Sequence, residues 1–276
     1  MVYGILVVYS EDYFIESLIE FNKILKLTMR KYKLVVVFND NKLANNITRF
    51  PIQGIEFEIV LGSNQYHEFS GWNEGLCFIS NKYATDYEDA GYVFCNDTLC
   101  HHRTYAFIHR IIFSVCCNLA LVSNKPAVAG ELTPPISFFE FNNVKFNSWI
   151  ATYFFVINKQ AMRFMKNKLL PNKEIIDKYL LGGDNQNSFF SGVMHENLKN
   201  QLLYWLFKGG WHKSEALNKN NKDFFYNKAR SIITEITFSS EIYAQKIKFI
   251  NTYYLIRLYS KAIPEILRSK IRSSIN

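Results

Sequence analysis

The chain alternates short, continuously apolar runs with amphipathic stretches, and this alternation predicts an α/β sheet. Gly4 to Tyr9 is apolar almost throughout, as a strand buried on both faces must be. Ser10-Glu11-Asp12-Tyr13 then supplies the polar, N-cap-like chemistry that opens a helix. Phe14, Leu18, Phe21 and Leu25 follow three or four residues apart and form its apolar face. A second apolar run, Leu34 to Phe38, ends in Asn39-Asp40-Asn41. Strand, helix and strand with uninterrupted apolar strands is the signature of a parallel unit. Both polar clusters then fall on one edge of the sheet, the edge at which such folds bind nucleotides.

The same pattern carries on for about 160 residues. Phe57 to Leu61 predicts a third strand, with Gly62-Ser63-Asn64 as its turn. Phe69-Ser70-Gly71-Trp72-Asn73-Glu74-Gly75 reads as a loop that opens a helix from about Leu76 to Tyr83. In such a loop Gly71 and Gly75 permit close backbone approach to a ligand, and Asn73 and Glu74 stand at a helix N-terminus. Tyr92 to Cys95 predicts a strand that delivers Asn96-Asp97-Thr98, followed by His101, His102 and Arg103. Asn-Asp after a strand starts turns, because both side chains hydrogen-bond nearby backbone; at a sheet edge it also presents polar groups to a ligand. Phe107 to Leu121 is a helix on the sheet, 127–130 a short strand or loop, and Thr133-Pro134-Pro135 a break. Ser148 to Asn158 returns to the sheet as a strand, with a helix over 159–166 behind it.

After Pro171 the pattern weakens. A polar loop at 181–188 contains Asp184, and a helix over 192–207 has His195 and Glu196 near its start. Lys208-Gly209-Gly210-Trp211-His212 is a second glycine-rich turn, 218–222 a polar loop, and helices close the chain from about Ser240, broken near Pro264. With no internal repeat or low-complexity linker, the expected organisation is a single domain over 1–240, with halves 1–130 and 131–240. A basic amphipathic tail follows over 241–276.

With 49% hydrophobic and 16% aromatic residues, a chain of 276 can bury a substantial core. Its five cysteines have no paired spacing, which fits a reducing compartment. Val2 to Tyr9 lacks the basic n-region of a secretory signal, and Phe107 to Val122 is interrupted by His109, Arg110, Ser114 and Asn118, so no run predicts a bilayer span. The expected location is cytoplasmic, with peripheral contact to the inner face of a membrane. The net charge is +8, and from Glu241 onward seven basic residues stand against two acidic ones. Basic residues interleaved with Ile, Leu and Tyr point to an anionic membrane surface or a partner groove rather than to nucleic acid.

Several chemistries are excluded by missing motifs: no dinucleotide Gly-x-Gly-x-x-Gly, no Walker loop, no Cys-x-x-Cys, no His-Glu-x-x-His and no Gly-x-Ser-x-Gly occurs. What remains is an ordered series of polar strand ends. Val7-Val8-Tyr9-Ser10, Phe38-Asn39-Asp40-Asn41, Gly71-Trp72-Asn73-Glu74-Gly75 and Phe94-Cys95-Asn96-Asp97-Thr98 together resemble the nucleotide-sugar half of GT-A glycosyltransferases. They resemble above all the large inverting family that builds bacterial surface polysaccharides, O-antigen and rhamnan-type.

The resemblance implies a Rossmann-like GT-A fold, with a mixed central sheet flanked by helices. It implies transfer of a sugar from a nucleotide-diphosphate donor to a glycan or lipid-linked acceptor. Asp97 is then the implied ligand of Mn²⁺ or Mg²⁺, which would neutralise charge on the departing diphosphate. Asp40, with Ser10 and Glu11, faces ribose or base, while Gly71, Asn73, Gly75 and Asn96 border diphosphate or donor sugar. This chain has one acid where many relatives have two, and His212, or failing it His101 or His102, is the expected helper. An inverting transfer also needs a carboxylate base, with Glu196, Asp184 and Glu241 as candidates in that order. The rivals are a nucleotidyltransferase acting on sugar phosphates and a non-catalytic binding protein on the same fold. The first calls for a glycine-rich, Lys/Arg-bearing loop where Ser10-Glu11-Asp12 stands.

Overall fold

A computed structural model describes residues 1–28, 30–39, 43, 52, 54–101, 105, 107–170 and 172–252. Among them the strands are β1 (Val2–Val8), β2 (Tyr32–Phe38), β3 (Glu58–Leu61), β4 (Gly91–Asn96), β5 (Ala127–Leu132), β6 (Phe139–Phe141), β7 (Val144–Phe146), β8 (Ile150–Ile157) and β9 (Lys248–Asn251). The helices are α1 (Glu11–Leu27), α2 (Glu68–Lys82), α3 (Ala84–Tyr87), α4 (Phe107–Leu121), α5 (Lys159–Phe164), α6 (Lys173–Tyr179), α7 (Glu196–Phe207) and α8 (Lys222–Ala244). The chain folds into two compact units. The first takes 1–132, 151–169 and the stretch from 247, and the second takes 133–150 and 170–246.

The first unit is built on a seven-stranded mixed sheet in the order β3-β2-β1-β4-β8-β5-β9, flanked by helices, as the α/β pattern predicts. β1 pairs in parallel with β2 on one side and β4 on the other, β3 extends β2 in parallel, and β8 runs antiparallel to β4. Every residue of β1 and β4 is buried, the physical reason these runs carry no alternation. The predicted stripe of α1, Phe14, Leu18, Phe21 and Leu25, is buried against the sheet. Gly4 makes room for it, since a Cβ there would lie 2.5 Å from Leu25 Cδ1. Phe113 of α4 stacks on Phe154 of β8 at 4.5 Å and continues the same core.

One expectation changes near the site. The stretch 69–75 is no loop: α2 begins at Glu68 and runs through it. Trp72 decides this, because it is fully buried, donates its indole N–H to the Cys95 carbonyl at 3.0 Å and packs edge-on against Phe69, Phe94 and Phe155. That anchoring requires the helix to lie close on the sheet. Gly71 and Gly75 supply the closeness: a Cβ on Gly71 would meet Val7 Cγ2 at 2.8 Å, and one on Gly75 would meet Ile5 Cγ2 at 2.7 Å.

The second unit contains the β6–β7 hairpin, turned through Asn142-Asn143 with both φ angles positive (53° and 61°), as a two-residue hairpin turn requires. Here the sequence reading differs most from the structure. A helix was expected only from about Ser240, yet α8 starts at Lys222 and runs to Ala244. Its β-branched and hydroxyl residues are poor helix formers. The hydroxyls of Thr234, Thr237, Ser239 and Ser240 are instead satisfied by carbonyls three or four residues back, while Phe225, Ala229, Ile233 and Ile236 are buried. Helix α7 begins at Glu196, not Gly192, because the His195 ring accepts the Asn197 N–H at 3.2 Å and caps it. Residues 241–244 thus lie inside α8, and 248–251 form a strand parallel to β5; the rest of the basic tail, 253–276, lies outside the described residues. Among the described residues no helix is long and apolar enough to cross a membrane.

The packing of α2 sets two effects of Gly75→Ala against each other. Helix propensity favours alanine by about 1 kcal/mol, whereas pressing a methyl into Ile5 and Val37 costs about 1–3 kcal/mol. The expected outcome is a lower urea-unfolding midpoint; a raised midpoint would mean that α2 does not need this approach to the sheet.

Candidate functional site

The order of the strands marks the place to look. From β1 the chain adds β2 and β3 on one side, then returns to put β4 on the other. In open α/β sheets such a reversal marks the edge, beyond the carboxyl ends of β1 and β4, where ligands bind. Asp97 stands there, 1% exposed. Its Oδ2 accepts the backbone N–H groups of Tyr9 at 2.6 Å and Ser10 at 2.7 Å, and its own N–H extends the ladder to the Val7 carbonyl at 3.0 Å. Its carbonyl accepts the Ser17 hydroxyl of α1 at 2.6 Å. Burial pushes the Asp97 carboxyl above the ordinary carboxylate range, although the two backbone N–H groups and nearby His101 pull it down.

Asn96 works locally. Its Oδ1 accepts the Thr98 N–H at 3.1 Å and hydroxyl at 2.6 Å, a turn of the kind Asn favours after a strand. Ser10 is the N-cap residue of α1 but makes no side-chain cap, and Glu11 begins the first turn. Gly71 and Gly75 face the sheet, so their small size serves helix packing; Asn73 points along α2 toward Cys77 Sγ at 4.0 Å, and Glu74 accepts the Ser63 N–H at 3.0 Å. His101 stacks on Tyr13 with ring centres 4.0 Å apart, its Nε2 3.4 Å from Glu16. Asp40 and His102 lie outside the described residues.

The structure adds a polar group that the sequence reading passed over. Asn39, at the end of β2, donates Nδ2–H to the His67 carbonyl at 3.1 Å. His67 enters α2 with φ 51° and ψ −134°, a region costly for any residue with a Cβ. The Ser70 hydroxyl donates to the same carbonyl at 2.9 Å. Glu68, 8% exposed, accepts the Thr152 hydroxyl at 3.1 Å. The Tyr9 hydroxyl is buried against Glu68 and Asn39 without closing a well-formed hydrogen bond, and Asn39 Oδ1 is likewise buried and unbonded. Burial first, then the charge of Glu68, raises the Tyr9 phenol well above its ordinary value and keeps it a donor. Asn39 was visible as a polar strand end. Glu68 and His67 carried no signal once 69–75 was read as a loop.

The remaining candidates belong to the second unit. Glu196 is exposed at the start of α7, and Asp184 is exposed and pairs with Lys222 at 2.6 Å. Glu241 is half-buried on α8, and burial raises its carboxyl pKa. His212 is exposed beside Trp211, which stacks between Trp205 and Phe224. For the divalent cation that the resemblance implies, the described donor set does not fit. Asp97 already holds two backbone N–H groups on one oxygen, and among the described residues no three His, Cys, Asp or Glu side chains converge as a cation site.

Comparison with known proteins matches no family model, and no curated protein matches. Among solved structures, a 4-diphosphocytidyl-2C-methyl-D-erythritol synthase shares 10% identity over 60% of this chain and 79% of its own, with a TM-score of 0.36. The apo bifunctional glycosyltransferase WbbM shares 12% over 60% of this chain, which spans only 33% of that protein, with a TM-score of 0.30. The Francisella tularensis 2-C-methyl-D-erythritol 4-phosphate cytidylyltransferase shares 10% over 60% of this chain and 76% of its own, with a TM-score of 0.32. At these values the likenesses carry no argument about activity.

The Asp97 clamp has a readable pH signature. A carboxyl whose pKa is higher folded than unfolded contributes stability below its unfolded value, near pH 4, and loses it as pH rises through the folded value. The urea midpoint of wild type should therefore fall relative to Asp97→Asn as pH rises from about 4 through the raised folded value; a constant difference would contradict the raised pKa. Asp97→Ala, which strands two backbone N–H groups, should cost about 1–3 kcal/mol.

Proposed function

We propose that this chain is a nucleotide-sugar-dependent glycosyltransferase whose first unit holds the nucleoside part of the donor at the sheet edge beyond β1, β2 and β4. The observation that carries this is the pair of buried polar atoms at that edge, Tyr9 Oη and Asn39 Oδ1, which lack good partners within the protein. Buried polar atoms are nearly always bonded; the Tyr9 hydroxyl lies against Asn39 and Glu68 without a well-formed bond to either, and we infer that a ligand offering both a donor and an acceptor completes the set. A nucleobase edge or a ribose hydroxyl does so. The ordered polar strand ends support the same donor class, with Ser10 and Glu11 toward the ribose.

The acceptor in this reading is a glycan or lipid-linked sugar of surface polysaccharide synthesis, and transfer is inverting. A base is then needed to take the acceptor hydroxyl's proton while that oxygen attacks the anomeric carbon and the nucleoside diphosphate departs. Of Glu196, Asp184 and Glu241, the first two are exposed, whereas Glu241 is half-buried and burial raises its carboxyl pKa, the direction that suits a general base. Glu241 therefore displaces Glu196 as the first candidate. A nucleotidyltransferase calls for a glycine-rich, Lys/Arg-bearing loop after β1, and Ser10-Glu11-Asp12 stands there instead, which weighs against that reading.

The test begins with thermal shifts for a panel of nucleoside diphosphates and sugar nucleotides. A ligand bound only by the folded state raises the midpoint. Tyr9→Phe removes an unbonded hydroxyl, so its unliganded midpoint should equal or exceed that of wild type while the ligand-induced shift shrinks. A full shift in the Phe variant would take Tyr9 out of the site.

Turnover separates the enzyme readings. Release of nucleoside diphosphate from a sugar nucleotide is expected, slowed at least about tenfold in Glu241→Gln, equivalent to about 1.4 kcal/mol. Pyrophosphate release from a nucleoside triphosphate and a sugar phosphate would favour the nucleotidyltransferase instead.

A further inference from the structure

The glycine turn that follows α7 folds one tryptophan back onto another. Gly209 has φ 108°, a backbone that favours glycine, and a Cβ on Gly210 would lie 2.7 Å from Trp205 Cα. The Gly210 N–H donates to the Tyr204 carbonyl at 3.4 Å, and the Ser214 N–H to the Trp211 carbonyl at 2.9 Å. Trp211 is thereby stacked on Trp205 of α7, with ring centres 5.1 Å apart and planes 11° from parallel, and on Phe224 of α8 at 5.7 Å and 10°. The stack lies at the surface: both tryptophans are partly exposed, Phe224 is 46% exposed and the adjacent Tyr204 52%. With one face against Trp211, Phe224 shows its exposure on the other face and the rim.

Basic groups surround these rings. Lys228, one turn beyond Phe224 on α8, places its ammonium 5.6 Å from the Trp205 ring centre and 5.5 Å from that of Trp211. Lys208, His212 and Lys213 are exposed in the turn itself. The same side of α7 continues into amide chemistry. At about 100° per residue, Asn197, Gln201, Tyr204 and Lys208 fall on one stripe, whereas Leu198, Leu202 and Leu206 are buried. At the start of that stripe Asn197, Asn200 and Gln201 line a cavity of about 260 Å³ with Ile136 and Ser137. From Asn197 to Lys208 the stripe is roughly 16 Å long, longer than a single sugar ring.

We propose that the second unit binds an acidic oligosaccharide along this face of α7. A pyranose presents C–H bonds on its faces and hydroxyls at its rim, and the C–H face rests on the negative face of an aromatic ring, here Tyr204 and Phe224. A primary amide carries a donor and an acceptor side by side, the pair that two adjacent hydroxyls match, and Asn200 and Gln201 supply it at the cavity. Carboxylates on the glycan pair with Lys208, Lys213 and Lys228 through charge-assisted hydrogen bonds. A single-stranded nucleic acid fits less well, because successive bases stack on separate platforms, and these rings spend their inner faces on one another. In the glycosyltransferase reading this glycan is the acceptor; the binding itself holds without that reading.

Titration of the full chain with hexasaccharides, read by tryptophan fluorescence and by calorimetry with no nucleotide present, tests the surface. Two of the chain's four tryptophans lie in the stack. Saturable binding is expected for at least one acidic hexasaccharide from galacturonan, hyaluronan or alginate, with neutral maltohexaose at least about tenfold weaker. Tyr204→Ala/Phe224→Ala, which removes exposed rings, and Lys208→Gln/Lys213→Gln/Lys228→Gln should each weaken the acidic ligand at least about tenfold, at thermal midpoints close to wild type. Asn200→Ala/Gln201→Ala should weaken it as well. The proposal is overturned by no binding to any of the acidic hexasaccharides, by unchanged affinity in the ring and lysine variants, by equal binding of maltohexaose, or by tighter binding of hexauridylate. A failed titration beside an intact thermal shift with a sugar nucleotide would remove this surface and leave the donor site standing.

Discussion

The carboxylate of Asp97 is the tie on which the carboxyl edge of the sheet depends. Its Oδ2 gathers the N–H groups of Tyr9 and Ser10, where β1 ends and α1 has yet to begin, and its carbonyl holds α1 itself through Ser17. The side chain must be buried to make these bonds, which is why its carboxyl is shifted upward in spite of them. With β1 and β4 joined in this way, the sheet edge at the chain reversal has a fixed geometry. Asn39 and Glu68 then meet Tyr9 at fixed positions.

The second constraint is the approach of α2. Trp72 is wedged among Phe69, Phe94 and Phe155, and the helix that carries it can come that close only because residues 71 and 75 have no side chain. Bringing α2 onto the sheet also brings its first residues, His67 to Ser70, to the end of β2. The unfavourable backbone of His67 is held there by bonds from Asn39 and Ser70 to its carbonyl. Packing in the core and geometry at the edge are therefore one problem: the tryptophan that stabilises the fold also positions the polar cluster.

Asn96-Asp97-Thr98 shows how much of a site a sequence can disclose. A turn-forming motif and a ligand-facing motif use the same residues, and in this fold the turn chemistry is visible on every one of them. The polar atoms left open lie one layer away, on Tyr9 and Asn39. Tyr9 looked like the end of a strand, because apolarity reports burial and cannot report which buried atom lacks a partner. The glycines at 71 and 75 misled for a related reason: absence of a side chain permits close approach, but only the fold says whether a ligand or a sheet does the approaching.

The sequence by itself determined the centre of the first unit's sheet, the parallel strands β1, β2 and β4 with α1 between the first two. Continuous apolar strands of four to seven residues, separated by an amphipathic helix, have few ways to bury themselves other than as a parallel sheet. It determined the polar strand ends too, because parallel strands send successive loops to one edge. Only the tertiary structure decided that Asp97 bonds back to β1, that α8 is a helix of 23 residues despite its Thr, Ser and Ile content, and that β9 closes the sheet beside β5. Each depends on partners distant in sequence. A buried face overrides weak helix propensity, and a strand of four residues gains its stability from the neighbour it pairs with rather than from its own composition.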